Sequence, residues 1–134
     1  METSVQTKLE ERVYRAAEAA LVRQKYVSAI DVLCGMGLLA SSGVDSWRKG
    51  RIDFLEREIH GSLNKISSSM KIFRRWAQEK GLTPSETEYV RLGRSGTVRL
   101  QFSASGDPQI EKNYRTHYVS PVLSTRNSMQ EVAD

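Results

Sequence analysis

Residues 27–51, VSAIDVLCGMGLLASSGVDSWRKGR, constrain this chain more than any other stretch, because the starts and stops of two short helices are written into them. Ser28 offers a side-chain oxygen to the free N–H groups of a first helical turn, and Asp31, three residues on, completes a capping box. Val27 and Val32 bracket that cap as a hydrophobic staple. Gly35 and Gly37 then supply backbone freedom, so this helix is expected to stop between Cys34 and Met36. A second start is read at Ser42, again with an acidic residue, Asp45, three positions later. Its helix places Val44 and Trp47 on one face, and Gly50 is positioned to end it.

The flanking sequence is organised in the same helical terms. Residues 5–25 are predicted to form a helix in which Leu9, Val13, Ala16, Ala20 and Leu21 recur at spacings of three and four. The alanines in that stripe permit close approach of a second helix, and Glu11 with Arg15 is read as an ion pair on the outer face. Asp53 repeats the cap-and-acid pattern and opens the longest helical segment. There Ile59, Leu63, Ile66, Met70, Phe73 and Ala77 form a short heptad seam. Gly61 is its weak point, where Ser62 would recap the helix, and Lys80 with Gly81 marks the end.

Beyond Gly81 the pattern changes. Thr83, Pro84, Ser85 and Glu86 read as one helical turn with proline first. Residues 88–92, 93–96 and 97–102 then read as strand, loop and strand, a hairpin near 87–103. Val98, Leu100 and Phe102 share one face of its second strand and are expected to lie against the helices. Asp107 caps and Pro108 opens a last helix carrying Ile110, Tyr114, His117 and Tyr118 at helical spacing, ended by Pro121. Residues 123–134 carry little apolar content and read as a tail. The expected fold is mainly α within the α+β class: four to five helices and one β-hairpin toward the C-terminal side, in a single domain over residues 1–122.

With 134 residues, 39% of them apolar, the chain is long enough to bury one core. No run approaches the length needed to cross a bilayer, and the polar N-terminus lacks a signal-peptide pattern, so a soluble, cytoplasmic protein is expected with no membrane partner. Cys34 is the single cysteine, which excludes an internal disulfide. Cys34, His60 and His117 do not have metal-ligand spacing, so no metal and no cofactor is expected. The run Gly93-Arg94-Ser95-Gly96 lacks the lysine-serine ending of a phosphate loop, and no Gly-x-Ser-x-Gly elbow is present. His117, close to Tyr114 and Glu111, is the best polar cluster for acid–base work. On a helix, however, Glu111 and His117 would not share a face. A non-enzymatic protein is therefore expected.

The net charge of +4 is unevenly placed. Residues 45–82 hold nine basic against five acidic side chains, while the segments on either side balance to zero. A localised basic segment suits an anionic partner. Within it, Val44-x-x-Trp47-Arg48-x-Gly50-Arg51 resembles the end of the recognition helix in repressor-type helix-turn-helix modules, a likeness confined to residues 28–51. In that family an aliphatic residue and a tryptophan pack inward while polar neighbours face DNA. The later hairpin extends the likeness to winged helix-turn-helix modules. The resemblance implies nucleic-acid contact through Arg48, Lys49 and Arg51, joined by Lys71, Arg75 and Arg94, with Trp47 structural. A reading from a different class is a protein-interaction domain that forms a homodimer through the 59–77 seam or the alanine-rich first helix.

Overall fold

The computed structural model describes residues 2–121, with side chains from Lys8 onward. The tail expected over 123–134 lies outside the described residues. Helix α1 (Glu2–Gln24) buries Val13, Ala16 and Ala20 of the predicted apolar stripe, joined by Ala17, with Leu9 and Leu21 partly buried. Two helices pack on it, α2 (Ala29–Gly35) and α4 (Leu63–Glu79). Glu11 and Arg15 remain exposed on the outer face, and the neighbouring Glu10 is the residue that pairs, with Arg75 of α4 at 2.9 Å. Glu18 completes the seam by accepting from Trp76 Nε1 at 3.1 Å and pairing with Lys80 at 2.6 Å. The lysine contact holds the Glu18 carboxyl below its ordinary range, against the opposing effect of partial burial.

The α2 cap forms as the sequence prescribes. Ser28 Oγ accepts from Asp31 N at 3.1 Å, Asp31 Oδ2 accepts from Ser28 N at 3.0 Å, and Val27 and Val32 are fully buried beside them. Asp31 also accepts from Gln24 Nε2 at 2.6 Å, which ties the cap to the end of α1. The last residue of α2, Gly35, lies so close to α1 that a Cβ there would stand 2.6 Å from Ala16 Cβ. This is the close approach that the alanine stripe permits.

Helix α3 (Ser41–Arg48) starts two residues earlier than a cap at Ser42 predicts, with Ala40 at the cap position and no side-chain cap. Val44 and Trp47 are buried on its inner face. Asp53 does not open the long helix. Leu55 N and Glu56 N donate instead to Gln101 O and Phe102 O, at 3.2 and 2.9 Å. These bonds hold residues 55–58 in a single 3-10 turn (Leu55–Glu58). Gly61, at φ +121°, turns the chain, and Ser62 caps α4 by accepting from Lys65 N at 3.1 Å. Of the heptad seam, Ile59 precedes the helix, Ile66, Met70, Phe73 and Ala77 are buried inside the domain, and Leu63 is 70% exposed.

Three strands close the far side. β1 (Tyr26–Val27), β2 (Thr83–Glu86) and β5 (Thr116–Val119) form an antiparallel sheet in the order β1-β5-β2. The turn expected at residues 83–86 is therefore a strand, with Thr83 opposite Val119 and Glu86 opposite Thr116. Pro84 is tolerated there because β2 is an edge strand, where a missing N–H costs no ladder bond. The predicted hairpin is present as β3 (Val90–Gly93) and β4 (Gly96–Arg99), joined by Arg94 and Ser95. It projects further than expected. Leu100 and Phe102 are buried, but Val98 is 42% and Leu92 86% exposed. Helix α5 (Pro108–Arg115) has the predicted cap, Asp107 accepting from Gln109 N and Ile110 N, both at 3.1 Å. It stops at Arg115, so His117 and Tyr118 sit on β5 rather than on a helix, and the strand ends at Val119, before Pro121.

The Gly35 contact is open to test by urea denaturation. Alanine is the better helix former, yet Gly35→Ala should lower stability by about 1–3 kcal/mol through overpacking against Ala16. Adding Ala16→Gly should recover part of the loss, whereas an unchanged midpoint for Gly35→Ala would show that α1 and α2 are not in this contact.

Candidate nucleic-acid interface

Trp47 sets the geometry of the basic end of α3. Its indole is fully buried, and Nε1 donates to Gln101 O at 2.7 Å. The ring lies 4.8 Å from Phe102 and 5.8 Å from Tyr89, centroid to centroid. The residues just before and just after the hairpin thus pack on the inner face of α3. On the outer side, the Arg48 guanidinium sits 5.2 Å over the Tyr89 ring. Gly50 faces the arm of the hairpin: a Cβ there would stand 2.5 Å from Arg91 Nε, a space open only because residue 50 is glycine. Arg91 therefore lies across the end of α3.

The six predicted contact residues divide into two groups. Arg48, Lys49 and Arg51 are exposed at the end of α3, and Arg94 is exposed at the hairpin turn. Among the described residues none of these four, nor Arg91, stands in an ion pair. Lys71 and Arg75 lie on α4 and take no part in the contacts that join α3 to the hairpin. Arg75 is bonded to Glu10, and Lys71 lines a groove between α4 and α5. Trp76, a neighbour that could have offered a stacking surface, is buried. Arg99, on the hairpin, is engaged by Glu88. Asp45 and Ser42 occupy the exposed face earlier in α3, so positive charge gathers at the helix C-terminus, where the helix dipole also favours it.

α2 packs chiefly on α1, while α3 packs on the 3-10 turn. No local pattern in the sequence links Arg91 to Gly50, because the two are forty-one residues apart.

Beneath Tyr89 lies a second polar group. Tyr89 Oη and His117 Nε2 are 2.6 Å apart, and the His117 ring stacks on Tyr26 at 5.2 Å. Burial pushes the Tyr89 hydroxyl up to about 12, with Arg48 opposing, so the tyrosine stays protonated. Burial holds His117 below its ordinary value of 6.5, and Arg48 acts in the same sense against the attraction of Asp31. Glu111, the imagined acid–base partner, is remote from this cluster. It accepts from Phe102 N at 2.8 Å and from Ser103 N at 2.7 Å, clamping α5 to the strand exit. Among the described residues no three metal-ligating side chains gather, and no helix is long and apolar enough to cross a membrane. Neither a family model, nor a curated protein, nor a solved structure matches the chain.

A depressed histidine predicts the sign of a pH effect. The folded state resists protonating His117, so its contribution to stability is complete above about pH 6.5 and is lost as pH falls below that. Thermal unfolding followed from pH 7 to pH 5 should show a fall that is shallower in His117→Gln. A steeper fall in the variant would contradict this account.

Proposed function

We propose that this chain is a small, non-enzymatic nucleic-acid-binding module. Its contact surface is the C-terminal end of α3 together with the β3–β4 hairpin. The observation that supports this reading is the seating of Arg91 across Gly50. It sets Arg91, of a segment distant in sequence, against the end of α3 that carries Arg48, Lys49 and Arg51.

Cations without carboxylate partners lose little by turning to phosphate, and each phosphate contact releases a counterion from the nucleic acid. Arginine adds a planar fork that matches two phosphate oxygens. Arg48 has its guanidinium already placed over Tyr89, which lowers the conformational entropy lost on binding. Trp47 is structural in this scheme, holding the end of α3 in place rather than touching the ligand. The backbone contacts give affinity and orientation, and the exposed α3 residues Ser42 and Asp45 are the ones positioned to read bases.

Binding of mixed-sequence duplex DNA and of RNA, titrated against salt, tests the proposal. Wild type should bind with a dissociation constant in the range of roughly 1–100 µM at low salt and lose affinity steeply as salt rises. The triple substitution Lys49→Ala, Arg51→Ala, Arg94→Ala removes only exposed side chains. It should weaken binding uniformly and reduce the slope of log K against log salt by about 3. Arg75→Ala should leave that slope unchanged. An absence of binding at low salt, where even non-specific contacts register, sinks the reading.

A further inference from the structure

Away from the basic end of α3, an open groove of about 530 Å³ runs between α4 and α5. Leu63, Ile66 and Met70 line one wall, at spacings of three and four, and Ile110 with Tyr114 the facing one. Leu63 and Ile110 stand out as ridges, while Ile66, Met70 and Tyr114 are almost fully buried between them and the core. Two of these are unusually exposed for their type, Leu63 at 70% and Ile110 at 40%. Several polar groups of the lining are already engaged. Glu56, its one carboxylate, accepts from Tyr114 Oη at 2.8 Å and from Ala104 N at 3.0 Å. The Ser103 hydroxyl donates to Glu111 at 2.6 Å. A ligand here would be held by apolar contact and by charge, not by a hydrogen-bonding template.

The charge is supplied by Lys71 and Arg74 on the α4 rim, neither of which stands in an ion pair among the described residues. From Leu63 to Arg74 the helix rises about 16 Å, three turns. The groove is only partly enclosed, whereas ligand pockets cover most of a small molecule. Two apolar ridges with a gap between them instead match one apolar stripe of a third helix laid into the groove.

We propose that this groove docks an acidic amphipathic helix of a partner protein, its apolar stripe between the ridges and its carboxylates against Lys71 and Arg74. The inference stands independently of nucleic-acid binding, since no residue is shared between the two surfaces.

Fluorescence anisotropy on the full chain tests it with a labelled synthetic helix carrying Leu at i, i+3, i+4 and i+7 flanked by Glu, against the same peptide with Lys flanks. The Glu peptide should bind with a dissociation constant of roughly 100 µM or tighter, and the Lys peptide about tenfold more weakly. Leu63→Glu and Ile110→Glu, at surface positions where the fold should survive, should each weaken the Glu peptide about tenfold at unchanged thermal midpoint. The double variant Lys71→Glu, Arg74→Glu should invert the preference between the peptides. This inversion keeps the test decisive if an apolar substitution disturbs folding. Absent binding near 1 mM, equal affinity for the two peptides, or indifference to all these variants would overturn the proposal. So would nuclear Overhauser contacts placing residues 122–134 on Leu63 and Ile110 in the free protein. A dimer in sedimentation that Leu63→Glu dissociates would likewise assign the groove to a second copy.

Discussion

The hydrogen bond from the Trp47 indole to Gln101 O, with the aromatic rings around it, is the joint on which the rest of the structure depends. It spans 54 residues and connects the early helices to the strand that leaves the hairpin. Phe102 continues the contact by stacking on Tyr114 at 5.3 Å, which brings α5 into the same core. Removing a buried aromatic of this size typically costs about 3–5 kcal/mol. A domain of ordinary stability has roughly 5–15 kcal/mol in total. The indole N–H matters separately: Trp47 is fully buried, and its N–H without the Gln101 O acceptor would carry an uncompensated desolvation cost. With that joint in place, the end of α3 and the arm of the hairpin have a fixed relation. Without it nothing in the local sequence would put Arg91 beside Gly50.

Structural ion pairing determines which cations are available to a ligand. The basic excess of residues 45–82 is a property of the sequence window, not of one surface. Arg75 and Lys80 are spent on α1, against Glu10 and Glu18. Arg91 comes from a segment of zero net charge, yet its side chain lies against Gly50 at the end of α3. A surface is assembled by topology, so its charge has to be counted after folding.

The same distinction explains what could be read in advance. The capping box at Ser28 and Asp31, the Asp107–Pro108 start, the Ser62 recap and the hairpin turning within residues 93–96 are local devices, complete within a few residues. Each was legible. Residues 83–86 were not, because the cap signal of Thr83 with Pro84 is overridden by pairing with β5, about thirty residues away. His117 was misplaced for a related reason: helical spacing continues through it, but strand pairing ends α5 at Arg115. The heptad seam was half legible. Its later members face the core, whereas Leu63 faces a groove whose other wall lies some fifty residues further on. Of the proposed interface, the α3 cations and Arg94 were named from sequence, while the placement of Arg91 and Tyr89 and the existence of the groove could not be read there.

The central claim is that the end of α3 and the hairpin act as one basic face. It is tested most directly by following backbone amide resonances as a short mixed-sequence duplex is added at low salt. The account predicts that the amides of residues 48–51 and 91–94 shift together, with a single midpoint. Movement of only one of these segments, or shifts centred on Lys71 and Arg75 of α4, would contradict it.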